Sequence, residues 1–296
     1  MKSLFKGTGT AMITPFTEEG VDYPALEKLI EYQIAGGVDA LIVLGTTGEA
    51  ATLTDEEYAD VAAFCIRKIA GRTKVILGTG SNCTRKAVEK SRYAQTLGVD
   101  GLLVVTPYYN KCTQNGLVKY YDDVCSAVSI PVLCYNVPAR TGVNILSRTM
   151  DRIAEIPNIY GIKEACGNME QICETARLLS GRCALYSGDD NLNLAMLSIG
   201  AQGLISVASN IAPKEVGDVA RLFFAGRQAE AVALQEKLLP LIDAMFTEVN
   251  PIPVKTAASL IGIGTPYVRP PLTELEEGHR AEMIEVLRAF GLNVKE

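Results

Sequence analysis

Short, continuously apolar runs alternate along this chain with stretches whose apolar positions recur at helical spacing. The runs are Gly9–Thr14, Ala40–Leu44, Val75–Gly78, Leu102–Thr106, Val132–Asn136, Ile159–Lys163, Ala184–Ser187 and Leu204–Val207. Apolarity at every position, rather than at every second one, marks strands covered on both faces, as parallel strands are. The periodic stretches are Tyr23–Ala35, Asp55–Ala70, Thr84–Leu97, Gly116–Val128, Ser147–Glu155, Met169–Leu179, Leu192–Ile199 and Pro213–Phe224. Most open on Ser, Thr, Asp, Asn or Pro, the residues that start helices. Eight strands alternating with helices predict an α/β fold, a (β/α)8 TIM barrel. The helix-to-strand junction repeats as Gly37-Val38-Asp39-Ala40, Gly98-Val99-Asp100-Gly101 and Gly200-Ala201-Gln202-Gly203. A glycine ending a helix just before a buried strand is what each unit needs. The echo therefore speaks for the barrel and not for any chemistry.

After about residue 225 the alternation stops, and Gln228–Phe246, Val254–Ile261 and Gly278–Phe290 read as three helices. The expected organisation is a catalytic barrel over residues 1–224 and a C-terminal helical domain over 225–296, packed on the barrel or on a neighbouring subunit. Pro251, Pro253, Pro266, Pro270 and Pro271 punctuate the loops of this domain.

Composition narrows the function. A chain of 296 residues, 48% hydrophobic and 21% charged, buries a sizeable core. No apolar stretch is long enough to span a membrane, and the first residues lack a signal-peptide core and cleavage site, so a cytoplasmic protein is expected. A net charge of −6 with no run of Lys and Arg argues against nucleic acid as a partner. The eight cysteines are scattered without a CxxC pair and are expected to be free thiols. The chain has one histidine, His279. That leaves a nucleophilic cysteine without its usual base and makes a zinc or iron site improbable, so no metal is expected. Aldolase chemistry on this chain would run through an imine.

Such an imine has a candidate amine. Lys163 stands near the C-terminal end of the run Ile159–Lys163, where a lysine is least expected. A buried ammonium without a partner tends to lose its proton, and the neutral amine is a nucleophile. The bland alternative is a lysine that ends its strand in solvent or pairs with Glu164.

In a barrel of this kind the strands' C-terminal ends carry the active site. Those ends here run into GTTGE (45–49), TPYYN (106–110), YNVPARTG (135–142), Lys163, SGDD (187–190) and SVAS (206–209). GTTGE reads either as a glycine-bounded turn whose threonines cap the next helix or as a carboxylate cradle of hydroxyls and backbone N–H groups. Tyr135 is either a core aromatic or a phenol that shuttles protons beside the amine. Arg140 is either a solvated loop charge or a fork for a substrate carboxylate. No strong phosphate loop is present, which disfavours a pyridoxal phosphate enzyme.

GTTGE, TPYYN, YNVPARTG, GIKEA at 161–165, SGDD and NPIPVKTA at 250–257 together resemble the dihydrodipicolinate synthase (4-hydroxy-tetrahydrodipicolinate synthase) family. The resemblance runs in order over essentially the whole chain. The family belongs to the pyruvate-dependent class I aldolases, as does N-acetylneuraminate lyase. The resemblance implies that Lys163 forms an imine with pyruvate, whose enamine attacks L-aspartate 4-semialdehyde, in lysine and diaminopimelate biosynthesis. It implies a proton relay of Tyr135, Thr46 and Tyr109, the last donated by the neighbouring subunit. It further implies that Thr47 contacts the pyruvate carboxylate, that Arg140 holds the semialdehyde's carboxylate, and that Gly188 and Ile205 line the pocket. No cofactor is implied, and the assembly implied is a homotetramer built as a dimer of dimers. Arg140 together with GTTGE favours a short carboxylated aldehyde; a sugar-acid lyase or 2-keto-3-deoxy acid aldolase is the alternative, and a catalytically idle pyruvate binder is disfavoured by Lys163 and Tyr135.

One departure bears on regulation. Many members of that family are inhibited by L-lysine at a dimer interface, at positions matching Ala50, Ala51, Asp55, Tyr58, Asn82, Lys86 and Tyr108. Inhibited members usually carry an acidic residue where this chain has Lys86, and commonly histidine where it has Asp55 or Tyr58. A cation at Lys86 repels the effector's ammonium groups, so weak or absent inhibition is expected.

Overall fold

A computed structural model describes residues Met1–Lys295. Eight parallel strands close into a barrel: β1 (Gly7–Ala11), β2 (Ala40–Val43), β3 (Lys74–Gly78), β4 (Gly101–Val105), β5 (Val132–Asn136), β6 (Ile159–Glu164), β7 (Ala184–Ser187) and β8 (Gly203–Ser206). They follow one another around it in chain order, with β8 beside β1. Among the described residues twelve α-helices accompany them: α1 (Tyr23–Ala35), α2 (Asp55–Ile69), α3 (Thr84–Thr96), α4 (Gln114–Ser126), α5 (Pro138–Thr141), α6 (Ser147–Ile153), α7 (Met169–Leu179), α8 (Asn193–Ser198), α9 (Pro213–Phe224), α10 (Gln228–Ala244), α11 (Ile252–Leu260) and α12 (Glu277–Phe290). None is long and apolar enough to cross a membrane.

Local chemistry sets the boundaries. The three junction glycines, Gly37, Gly98 and Gly200, adopt φ of +73°, +74° and +102°, a left-handed turn that a side chain would oppose. Helix α2 opens on a capping box, in which Glu57 N donates to Thr54 Oγ1 (3.1 Å) and Thr54 N donates to Glu57 Oε2 (2.9 Å). Helix α4 begins two residues ahead of the sequence expectation because Thr113 accepts from Gly116 N and caps it. Strand β1 occupies Gly7–Ala11 rather than Gly9–Thr14. Residues 12–14 stay buried but leave the strand, and the N–H of Ile13 goes to Asn210 Oδ1 (3.1 Å). A small antiparallel ribbon, Phe16–Thr17 with Gly20–Val21, is too short to show a sequence period.

The chain forms two compact units. One comprises Met1–Gly7 and Lys74–Ile205. There the N-terminal segment is tied at the starts of β7 and β8: Lys2 N donates to Arg182 O (2.8 Å) and Gly7 N to Gln202 O (2.9 Å). The Tyr186 hydroxyl accepts from Leu4 N and Phe5 N and donates to Phe5 O (2.7 Å), with its ring stacked on Phe5. The other comprises Thr8–Thr73 and the chain from Ser206 onward. In it Gln33 of α1 accepts from Thr10 Oγ1 (2.7 Å) and donates to Ser209 O and Asn210 O, satisfying polar groups that the core has taken from water.

Candidate active site

Parallel pairing sets Tyr135 of β5 level with Lys163 of β6. Lys163 is only 5% exposed, and its Nζ lies 4.4 Å from the centre of the Tyr135 ring. Successive strand residues point to opposite faces. Glu164 therefore turns away from Lys163, and the ion pair between these neighbours is not made. The Glu164 carboxylate accepts from Asn136 Nδ2 (2.9 and 3.1 Å) and from Cys166 N (2.9 Å). Burial pushes its carboxyl above the ordinary range, while the Asn136 and Cys166 hydrogen bonds hold the rise back. Gly188, just beyond β7, closes over the lysine: a Cβ there would lie 2.9 Å from Lys163 Cε and 3.0 Å from its Cγ. Its N–H donates to Glu164 O (2.7 Å).

The polar contacts of Glu164 continue into the segment that follows Arg140. Asn136 Nδ2 also donates to Asn144 Oδ1 (2.9 Å), and Asn136 Oδ1 accepts from Ile145 N (2.9 Å). Asn144 Nδ2 donates to Gln171 Oε1 (2.7 Å), and Gln171 Nε2 donates to Asn144 Oδ1 (3.0 Å). Arg140 itself is exposed on α5, which ends at Gly142 with φ +68°. Ile205 is buried in β8. Tyr109 is 91% exposed with φ +67°. Of the residues matched to the effector site in this unit, Lys86 is exposed on α3, while Asn82 and Tyr108 are half-buried; Asn82 O accepts from Asn110 Nδ2 (3.0 Å).

In the other unit β2 ends in a tight turn, in which Gly48 N donates to Gly45 O and Glu49 N to Thr46 O (3.0 Å). Leu44 and Glu49, on either side, have φ of +56° and +52°. Thr46 is exposed, whereas Thr47 is buried and its Oγ1 accepts from Asn250 Nδ2 (3.0 Å). Helix α2 is capped by Thr54, so neither threonine serves as its cap. Ala51 and Asp55 are exposed, and Tyr58 is buried.

Below the turn lies a feature that sequence reasoning missed. Lys255 of α11 is wholly buried, and its Nζ is 2.6 Å from Glu49 Oε1. Burial pushes the Lys255 ammonium down to about 8, against the pull of Glu49. Arg269 N donates to Glu49 Oε2 (3.0 Å), and the Arg269 guanidinium pairs with Glu57. Both cations sit over the Phe16 ring, Lys255 Nζ at 4.2 Å and Arg269 Cζ at 4.3 Å. The signal that singled out Lys163, a lysine inside an apolar run, is also present in Ile252-Pro253-Val254-Lys255.

The single histidine, His279, joins Glu248 and Glu276 in a group whose ligand atoms lie within 4.8 Å of one another, a spacing that a metal ion could use. The arrangement is accounted for without one. Glu248 Oε1 accepts from Glu276 N (3.0 Å) and meets His279 Nδ1 (2.7 Å), closing the N-terminus of α12.

A closed eight-stranded barrel with a buried lysine at the end of its sixth strand is a (β/α)8 barrel of the kind whose strand ends carry the chemistry. The chain belongs to the dihydrodipicolinate synthetase family, whose model matches residues 4–290. It is 48% identical over 295 residues to a 4-hydroxy-tetrahydrodipicolinate synthase of Caldicellulosiruptor bescii, covering 99% of this chain and 100% of the relative. The crystal structure of dihydrodipicolinate synthase from Aquifex aeolicus is 44% identical, with a TM-score of 0.97 over 99% of this chain and 100% of that one. That of the chloride-inhibited dihydrodipicolinate synthase from Acinetobacter baumannii complexed with pyruvate is 42% identical, with a TM-score of 0.95 over 97% and 99% of the two chains.

Proposed function

We propose that this enzyme condenses pyruvate with L-aspartate 4-semialdehyde to give 4-hydroxy-tetrahydrodipicolinate, a step of lysine and diaminopimelate biosynthesis. The observation that carries the reading is the Lys163 amine, buried against Tyr135 while its neighbour Glu164 is engaged elsewhere. Family membership and the relatives' names support it.

The chemistry follows from the residues. The Lys163 amine adds to the keto carbon of pyruvate and water leaves, giving an imine. Loss of a methyl proton makes the enamine, whose carbon attacks the aldehyde carbon of the semialdehyde; the new C–C bond leaves a hydroxyl. The semialdehyde's own amine then displaces Lys163 and closes the ring. Each step moves a proton, which is the role proposed for Tyr135, Thr46 and Tyr109. Thr47 holds the pyruvate carboxylate, Arg140 that of the semialdehyde, and Gly188 and Ile205 line the pocket. The exposure of Tyr109 supports its donation to a neighbouring subunit in a homotetramer, which sedimentation analysis tests. No cofactor takes part. Lys86 makes inhibition by L-lysine weak or absent, and clear inhibition at sub-millimolar lysine would count against that.

Borohydride reduction in the presence of pyruvate, read by mass spectrometry, should place an adduct on Lys163, and a coupled assay with the semialdehyde should show turnover. An adduct without turnover would point to another aldehyde, and no adduct would remove the imine mechanism.

A further inference from the structure

Thr47 is held by a turn flanked by two non-glycine residues in the left-handed region, Leu44 and Glu49, so contacts made from the turn to the surrounding interior must hold it in place. The side chain that makes them is Glu49. It folds back from the turn into the interior, where one oxygen meets Lys255 Nζ (2.6 Å) and the other accepts from Arg269 N (3.0 Å). The carbonyl of Glu49 accepts from the hydroxyl of Thr52 (2.9 Å), and the carbonyl of Thr52 accepts from Arg269 Nη1 (3.1 Å). Helix α11 and the residues leading into it thus grip the turn twice, Asn250 at the hydroxyl of Thr47 and Lys255 at the carboxylate of Glu49.

A buried ion pair is weak evidence of stability. Two apolar side chains of similar volume commonly do as well or better, whereas removal of one charge alone is strongly destabilising. What an ion pair offers that an apolar pair does not is direction: a carboxylate gripped at both oxygens cannot rotate or slide. We propose that Glu49 and Lys255 are positioning residues for substrate binding, and that their buried ion pair sets the place of the Thr47 hydroxyl that receives the pyruvate carboxylate. The inference rests on the assignment of Thr47 given above. Neither residue touches substrate in this scheme; each acts through the turn.

The predicted signature separates the two substrates. Loosening the turn weakens pyruvate capture and leaves the semialdehyde, held by Arg140, unaffected. The isosteric variant Glu49→Gln should raise KM for pyruvate about tenfold or more, as loss of a charge-assisted contact does, while KM for the semialdehyde stays within about twofold. The double variant Glu49→Gln/Lys255→Met removes both charges at similar volume, so its Tm should return close to that of the unaltered enzyme while its pyruvate KM stays raised. Stability and affinity would then part company, which a merely structural pair would not allow. Borohydride trapping of Lys163 across a pyruvate series gives the same readout without turnover. A double variant with unaltered pyruvate KM and trapping would overturn the proposal. Failure of both variants to fold would make the pair a stability element and overturn it too. Absence of any Lys163 adduct in the unaltered enzyme would instead bring down the imine reading, a separate failure.

Discussion

The amine of Lys163 is placed by what is missing next to it as much as by what is present. Gly188 has no side chain where a Cβ would stand 2.9 Å from Lys163 Cε, closer than such atoms approach in proteins. Gly188→Ala must therefore push the lysine or its own strand end aside. Overpacking of this kind costs about 1–3 kcal/mol of stability, and displacement of a reacting group by about 1 Å costs on the order of 100-fold in rate. The expected outcome is a modest fall in Tm with a loss of adduct formation far larger than that fall explains, read by borohydride trapping on the folded variant. The partner of Lys163 is an aromatic face and not a carboxylate, since strand alternation sends Glu164 the other way. That part was open in the sequence, where both a Glu164 pair and a free amine fitted. Adjacent residues in a strand look close on paper and are in fact the two that cannot meet.

At the scale of elements, the ends of β5 and β6 are tied through their outward residues, Asn136 and Glu164, to the segment that follows α5. Asn144 is the joint of that tie, contacting Asn136 and Gln171 at once. Asn144→Ala takes one partner each from Asn136 Nδ2 and Gln171 Nε2, leaves Gln171 Oε1 without the Asn144 donor, at a cost of about 1–3 kcal/mol, and loosens the segment that follows the helix carrying Arg140. KM for the semialdehyde should rise about tenfold with pyruvate KM nearly unchanged, the mirror image of the Glu49 variants. A rise in both would show general loosening instead. Helix α2 offers a prediction about acid. The Arg269 guanidinium holds Glu57 down at about 2, against an ordinary value of 4.5. A depressed folded-state value means the contribution is complete above pH 4.5 and is lost as pH falls toward 2. Glu57→Gln should therefore flatten the dependence of Tm on pH across that window. A variant as acid-sensitive as the unaltered chain would place the sensitivity elsewhere. His279 works in the opposite sense. Glu248 raises its value above 6.5, so its contribution is complete below 6.5 and fades as pH rises through the raised value.

For the molecule as a whole, the barrel was legible because parallel strands are covered on both sides and cannot hide a polar period. Val132–Asn136 and Ala184–Ser187 match the sequence reading residue for residue. The errors fell where side chains replace the ladder, as at Ile13 on Asn210, or where a cap lies beyond the period, as at Thr113. The four-residue helix α5 inside YNVPARTG was not legible, being shorter than the window any periodicity needs. The strand ends could be read as a list, since each follows its strand directly. What stands behind them could not: Glu49 and Lys255 are 206 positions apart, and Asn136 and Glu164 are 28 apart. Such pairs are fixed by the closure of the fold rather than by any local pattern. The hydroxyl of Tyr186 gathers the backbone of Leu4 and Phe5 in the same long-range way. Tyr186→Phe strands those groups in the interior, and thermal unfolding should show a loss of about 1–3 kcal/mol.

The position of the N-terminal segment also sets an order in time. Lys2 and Gly7 hydrogen-bond to Arg182 and Gln202, residues translated long after them. At about 5–20 residues per second, Lys2 and Gly7 are made roughly 10–40 s before the residues that will hold them. During that wait β1, Gly-Thr-Gly-Thr-Ala, has only β2 for company, and the backbone groups along its other edge have no strand to pair with. The strand that β1 lacks during synthesis is supplied only when β8 arrives, and in the finished barrel β1 is paired on both sides.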